Sequence, residues 1–172
     1  AAARLSQAGA RIEKLHAPEV TEAMALAGTL FGAEAYGIWR DTIEAAPQKM
    51  FPRILDRFRG GAQVSAADYV AGWRRLEQLR AQWAQRTAVY DAVILPTSPI
   101  LPPDAQRLMT DDAYYVAENL LALRNTRIGN LFNLSALTLP TGQPSCGIML
   151  MAAPMAEERL LRLGWAAERA LG

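Results

Sequence analysis

The stretch Tyr90-Asp91-Ala92-Val93-Ile94-Leu95-Pro96-Thr97-Ser98-Pro99 constrains this chain more than any other. Residues 92–95 are apolar without interruption, and Pro-Thr-Ser-Pro follows at once. Hydrophobicity that is continuous rather than alternating belongs to a strand covered on both faces. Proline cannot donate to a strand ladder, so the strand ends where the prolines begin. A buried strand therefore opens abruptly into a loop. Downstream, a strand over residues 136–139 and the turn Thr141-Gly142-Gln143-Pro144 lead into a second continuous apolar run, residues 147–151.

Helical patterns occupy much of the remaining chain. Residues 1–9 read as the last turns of a helix stopped by Gly9, with no N-cap before them, so the chain is expected to begin inside an element. Residues 10–16 alternate, with Ile12, Lys14 and His16 opposite Arg11, Glu13 and Leu15, and predict a short strand. Pro18 and Glu19 open a long helix carrying Val20, Met24, Ala27, Phe31 and Ile38 at helical spacing, and Pro47 ends it. A shorter helix over residues 50–59 is closed by Gly60-Gly61. Ser65 and Asp68 resemble a capping box with Asp in place of Glu. The helix that follows runs to about residue 89 and places Tyr69, Trp73, Leu76 and Trp83 on one core-facing stripe. Thr110-Asp111-Asp112 caps a helix reaching residue 123, and residues 125–134 form an irregular or helical approach to the next strand. Residues 156–171 close the chain as a helix whose first turn holds Glu157 and Glu158, suited to its dipole. Long helices feeding short apolar strands predict an α/β fold: a mixed sheet covered by helices, in a single structural unit over residues 1–172.

Composition excludes several classes of function. A chain of 172 residues that is 51% hydrophobic buries a core of ordinary single-domain size. Eighteen basic against seventeen acidic side chains leave a net charge of +1, which offers no field for nucleic acid or an anionic membrane. No apolar run approaches the roughly 20 residues of a membrane span. The single cysteine and single histidine rule out a disulfide framework and a structural zinc site, and fit a reduced, cytoplasmic setting.

Self-contained catalysis finds little support among the residues. The only histidine, His16, lies in the N-terminal segment, and no G-x-S-x-G motif accompanies it. Lys14 and Lys49 read as solvated surface lysines rather than bases. Cys146 sits in a turn at the mouth of a strand, but the sequence names no neighbouring base or cation, so it reads as a small half-buried residue. Asp111 with Asp112, and Glu157 with Glu158, are adjacent and suit helix starts better than acid–base work. No dinucleotide or phosphate loop is present, and no cofactor or metal is expected.

Taken with Asn130-Leu131-Phe132-Asn133-Leu134-Ser135-Ala136-Leu137-Thr138-Leu139-Pro140, the Asp91 to Pro99 segment resembles the C-terminal region of the amidase signature family. In that family an Asn is followed by Gly three residues on, Pro two beyond, an apolar strand and a closing Pro-x-Gly. Asn130, Thr138, Pro140 and Gly142 fit, whereas Asn133 stands where Gly is usual and Ser135 where Pro is usual. The resemblance extends weakly back to Glu34-Ala35-Tyr36. It implies hydrolysis of carboxamide C–N bonds through an acyl-enzyme, with a Ser nucleophile, a second Ser in a cis peptide, a Lys base and an oxyanion hole of backbone N–H groups. No Gly-Gly-Ser-Ser-like stretch occurs here, so no catalytic residue transfers.

What the resemblance implies for this chain is a substrate-pocket wall and sheet framework, inactive alone. Its partners would be a small-molecule amide and a missing N-terminal catalytic region. An incomplete sheet would also leave an apolar edge or face, favouring homo-oligomers or poor solubility. Strand ends opening into loops are where α/β sheets place ligands, which makes Thr97, Ser98, Asn130 and Asn133 the candidate substrate-binding residues. A second role competes for each: Thr97 and Ser98 also suit satisfaction of turn backbone, and Asn130 suits a helix cap. The polar groups at Asn133 and Ser135 leave the identity of the amide open. The alternative function is a non-catalytic binding or assembly module, comparable to part of an amidotransferase A subunit.

Overall fold

The structure, a computed structural model, describes all 172 residues. Eight helices and three strands follow in the order α1 (Ala2–Gln7), α2 (Pro18–Ala45), α3 (Pro52–Gly60), α4 (Ala66–Thr87), β1 (Val93–Pro96), α5 (Ala105–Thr110), α6 (Asp112–Ala122), α7 (Arg124–Phe132), β2 (Ser135–Pro140), β3 (Gly147–Ala152) and α8 (Glu157–Leu171). The chain divides into two compact units, one formed by Ala17–Trp83 and the other by Ala1–His16 with Ala84–Gly172. No helix is long and apolar enough to cross a membrane.

The first unit is helical. Pro18 stands in the opening turn of α2, where its missing N–H is no loss, and α2 ends immediately before Pro47. Ala23, Ala27 and Leu30 form its buried face. Ser65 starts α4: its hydroxyl accepts the Asp68 N–H at 3.0 Å and donates to Asp68 Oδ2 at 2.6 Å. The capping box thus closes on the hydroxyl itself, because the short Asp side chain sits over the Ser rather than over its backbone. Leu76, Leu79 and Trp83 carry the buried stripe of α4, while Tyr69 and Trp73 lie at its margin. There Tyr69 meets Trp73 edge-on at 6.3 Å, and the Arg80 guanidinium lies 5.4 Å from the Trp73 ring centroid.

Two exposed Arg–carboxylate forks tie these helices together: Arg75 to Glu22, and Arg59 to Glu44 at 2.9 and 2.7 Å. The guanidinium hydrogen bonds hold both glutamates below their ordinary pKa. A tighter contact is backbone to backbone. Gly61, in a short 3-10 turn after α3, faces Gly32 of α2 so closely that a Cβ on Gly61 would fall 2.0 Å from the Gly32 carbonyl oxygen.

The second unit contains the sheet, in strand order β1-β3-β2. Ile94, Leu150 and Leu137 stand side by side across it. These residues, with Leu139 and Ile148, form one face packed against Leu160, Ala167 and Leu171 of α8 and Leu5 of α1. The other face carries buried Met149 and Met151, and Gly129 of α7 lies beside the Met151 methyl. The α/β reading is what the structure shows, in a mostly helical form. Both pairings are antiparallel rather than mixed: a short turn joins β2 to β3, which a parallel pair cannot use, and β1 joins the far side of β3 in the opposite direction. Continuous burial holds for β3, whereas β2 alternates and leaves Ala136 and Thr138 exposed.

Residues 10–16 form no strand. Alternation needs a face to bury and a ladder to join, and this segment has neither. Ile12 is 41% exposed, and the contacts made are polar: Arg11 pairs with Glu13 at 2.9 Å, and the Tyr90 hydroxyl donates to Glu13 at 3.2 Å. The proline-rich segment after β1 also conceals α5, which Asp104 caps by accepting the Arg107 N–H at 2.7 Å.

Asp111 caps α6 by accepting the Tyr114 N–H at 2.9 Å. That bond first, and the Arg107 guanidinium second, hold its carboxyl below the ordinary aspartate value. A depressed folded-state pKa stabilises the fold above the unfolded value, and the contribution is lost as pH falls through the folded value. Protection of the Tyr114 and Tyr115 amides, taken relative to their intrinsic exchange rates, should therefore fall on acidification below the usual carboxylate range. Asp111→Asn, which keeps an acceptor but does not titrate, should flatten that response in hydrogen-exchange measurements.

Candidate functional site

The site begins where β1 runs out. Pro96 has no N–H, yet the ladder continues one residue further because the Thr97 N–H donates to the Gly147 carbonyl at 3.0 Å. The Thr97 hydroxyl then reaches past the start of β3 and donates to the Thr138 hydroxyl of β2 at 3.2 Å. Glycine at 147 makes this contact feasible: a Cβ there would lie 2.8 Å from Thr97 Oγ1 and 3.1 Å from Thr138 Cγ2. From the α7 side, the Asn125 side-chain amide donates to the Pro96 carbonyl at 2.7 Å, fixing the strand end.

On the other side of the strand ends lies an apolar groove of about 620 Å³. Ile94, Ile100 and Ile148 line its interior, with Ser98, Cys146 and Arg4 supplying polar groups. Ser98 accepts the Ile100 N–H at 3.5 Å in a local turn. The 141–146 turn is braced by the Thr141 hydroxyl donating to the Cys146 carbonyl at 2.8 Å, and Ser145 adopts a positive φ of 58°. Cys146 is free and exposed, more open than a half-buried strand entrance. Arg4, projecting from α1, donates to the Thr141 carbonyl at 3.1 Å.

The structure brings Thr97 and Ser98 together at this strand end. Asn130 and Asn133 meet each other at the far end of the sheet, where β2 begins opposite Ala152 rather than opposite Gly147. The Asn133 N–H donates to the Asn130 carbonyl at 3.4 Å, and Asn133 adopts φ 56°, ψ 39° as the C-cap of α7. That left-handed position explains an Asn where the resemblance leads one to expect Gly, since these two residue types tolerate it best. Ser135 is likewise accounted for locally. Its hydroxyl accepts the Ala156 N–H at 3.2 Å and donates to Glu157 at 3.0 Å, tying the start of β2 to the start of α8.

Arg4, Asn125 and Thr138 escaped the sequence reading as site residues. Arg4 and Thr141 are separated by 137 positions, and no local pattern connects them. Asn125 carried a signal, a polar amide in the approach to β2, but nothing in the sequence identifies Pro96 as its partner.

Residues 1–161 match the Amidase family. The chain is 32% identical over 175 residues to 2-amino-5-chloromuconic acid deaminase of Comamonas testosteroni, covering 98% of this chain and 38% of that protein. It is 27% identical over 172 residues to fatty acid amide hydrolase of Oryza sativa subsp. indica, covering 95% of this chain and 28% of that protein. The fold matches allophanate hydrolase of Kluyveromyces lactis with a TM-score of 0.85 at 22% identity, over 99% of this chain and 28% of that one. The chain thus spans well under half the length of these relatives. With the family match running from residue 1 to residue 161 and 32% identity to one relative over 98% of the chain, the chain belongs to the amidase signature family.

Proposed function

We propose that this chain is the C-terminal region of an enzyme that hydrolyses carboxamide C–N bonds through an acyl-enzyme, contributing substrate-pocket wall and sheet framework. The observation that carries this reading is the end of β1, where Pro96 and Ser98 line an apolar groove. An apolar wall with a few fixed polar groups suits the body of a small amide. Ser98 lies at the groove end of that wall and Thr97 braces the strand end behind it, whereas Asn130 and Asn133 stand at the opposite end of the sheet, outside this groove. No residue of the chain serves as nucleophile or base; those belong to a catalytic region that precedes it in the whole enzyme. The rice relative's name supports amide hydrolysis, and the Comamonas relative's, a deaminase, shares with it only the breaking of a C–N bond. The lone free cysteine suits a reduced, cytoplasmic setting. The outer edges of β1 and β2 carry no strand neighbour, which favours self-association of the chain by itself.

Ammonia release from simple carboxamides tests the proposal. The 172-residue chain should release none, while a longer protein that also carries a Gly/Ser-rich Ser-Lys region should turn over. Robust turnover by the chain alone, abolished by Cys146→Ala, would replace this reading with a cysteine hydrolase. Recovery of the chain in a tight complex without hydrolysis would instead favour an assembly role, as in an amidotransferase A subunit.

A further inference from the structure

The Glu34-Ala35-Tyr36 segment of α2 borders a cleft of about 590 Å³ within the helical unit. Its lining residues all fall between positions 33 and 69, and no terminal residue is among them. Two half-buried tyrosines supply aromatic surface, each steadied by a second contact: the Tyr36 hydroxyl donates to Glu44 Oε1 at 3.3 Å, and Tyr69 meets Trp73 edge-on. Arginines stack on Phe51, Trp73, Tyr114 and Trp165, but no cation covers Tyr36 or Tyr69. Glu34 is open in the same way. Its neighbours along α2 are paired, Asp41 with Arg40 at 3.3 Å and Glu44 with Arg59, whereas the exposed Glu34 carboxylate makes no hydrogen bond or ion pair. Arg40 also lines the cleft, and its charge is met by Asp41. Ser65, another lining residue, donates to Asp68, which adds a second acid at the rim. An unpaired carboxylate beside uncovered aromatic surface attracts an organic cation, through its charge and through the ring quadrupole.

We propose that this cleft binds a small organic ammonium, its nitrogen between Glu34 and the rings of Tyr36 and Tyr69 and its alkyl groups against Ile38 and Val64. The volume is that of a small-molecule site. A metal ion would need several oxygen or nitrogen ligands together, and no trio of acidic, histidine or cysteine side chains stands there. The proposal concerns the cleft alone and stands whether or not the chain serves amide hydrolysis.

NMR titration of the isotope-labelled 172-residue chain tests it, observing the Gly37, Gly61 and Ser65 amides and the Ile38 and Val64 methyl groups. Tetramethylammonium, tert-butanol and pivalate share a compact branched body and differ in charge. Tetramethylammonium should bind at least about tenfold more tightly than tert-butanol, and pivalate more weakly than either. Glu34→Gln should bring the tetramethylammonium-to-tert-butanol ratio down to about twofold, with tert-butanol itself within about twofold of the wild-type value. Tyr69→Leu should weaken tetramethylammonium about threefold, while Tyr69→Phe, which keeps the ring, should not. Arg40→Gln, which removes the like charge, should strengthen it by about twofold. Phosphatidylcholine vesicles present the same trimethylammonium chemistry on a lipid, and the chain should stay in the supernatant when they are sedimented. Co-sedimentation that Glu34→Gln abolishes would overturn the assignment to a free small molecule. Equal binding of tetramethylammonium and tert-butanol by the wild type, a preference that survives Glu34→Gln intact, or no shifts within the cleft would overturn the proposal.

Discussion

Gly61→Ala should cost the helical unit about 3 kcal/mol or more, a large fraction of the total stability of an ordinary domain. The added methyl would lie 2.0 Å from the Gly32 carbonyl oxygen, 2.4 Å from its carbon and 2.9 Å from the Ala33 nitrogen. All three atoms are backbone of α2, so no rotamer change relieves the overlap; the 3-10 turn must withdraw from the helix. Gly61 has a φ of −61°, so conformational freedom is not why glycine stands there. The neighbouring glycine supplies the control. Gly60 has nothing within 4 Å of a built Cβ and is helical, so Gly60→Ala should be neutral or stabilising by up to about 1 kcal/mol. Denaturant unfolding, with hydrogen exchange localised to Ala17–Trp83, distinguishes the pair. Equal stability of the two variants would disprove the close approach.

Leu150→Ala should cost the sheet-containing unit about 3 kcal/mol. Leu150 is 4% exposed, lies in the central strand between Ile94 and Leu137, and faces α8. Its neighbours come from several elements, so the cavity left by truncation cannot close by movement of one of them. Met155, just after the same strand, is 89% exposed, and Met155→Ala should change stability by less than about 0.5 kcal/mol. Comparable losses for the two, read as shifts in the unfolding midpoint at constant m-value, would mean that β3 does not organise this core.

Much of this architecture was legible because its punctuation is local. Pro18 and Pro47 bracket α2, Ser65 and Asp68 announce α4, and the unbroken apolar run of β3 correctly implied burial on both sides. Local signals failed where the deciding fact lay elsewhere. The alternation of residues 10–16 is genuine, but no strand edge meets it. Asp104 was a usable N-cap signal, masked by the prolines before it. At the site, Thr97 and Ser98 stood out because the strand ends there, whereas Thr138 and Arg4 enter through strand register and a contact between distant parts of the chain. The family-unusual Asn133 and Ser135 suggested altered substrate contacts, and their local geometry supplies reasons internal to the fold: a left-handed cap and a clasp on α8.

The hydroxyl bond passing over Gly147 gives the sheet a property its strand order does not express. β1 and β2 are both partners of β3 and not of each other, yet at this end they touch directly. The Pro-Thr-Ser loop and β2, far apart in sequence, are therefore joined directly, through the gap that glycine leaves at residue 147. Any side chain at residue 147 would stand in the path of the Thr97–Thr138 bond and so part the two strand ends it joins.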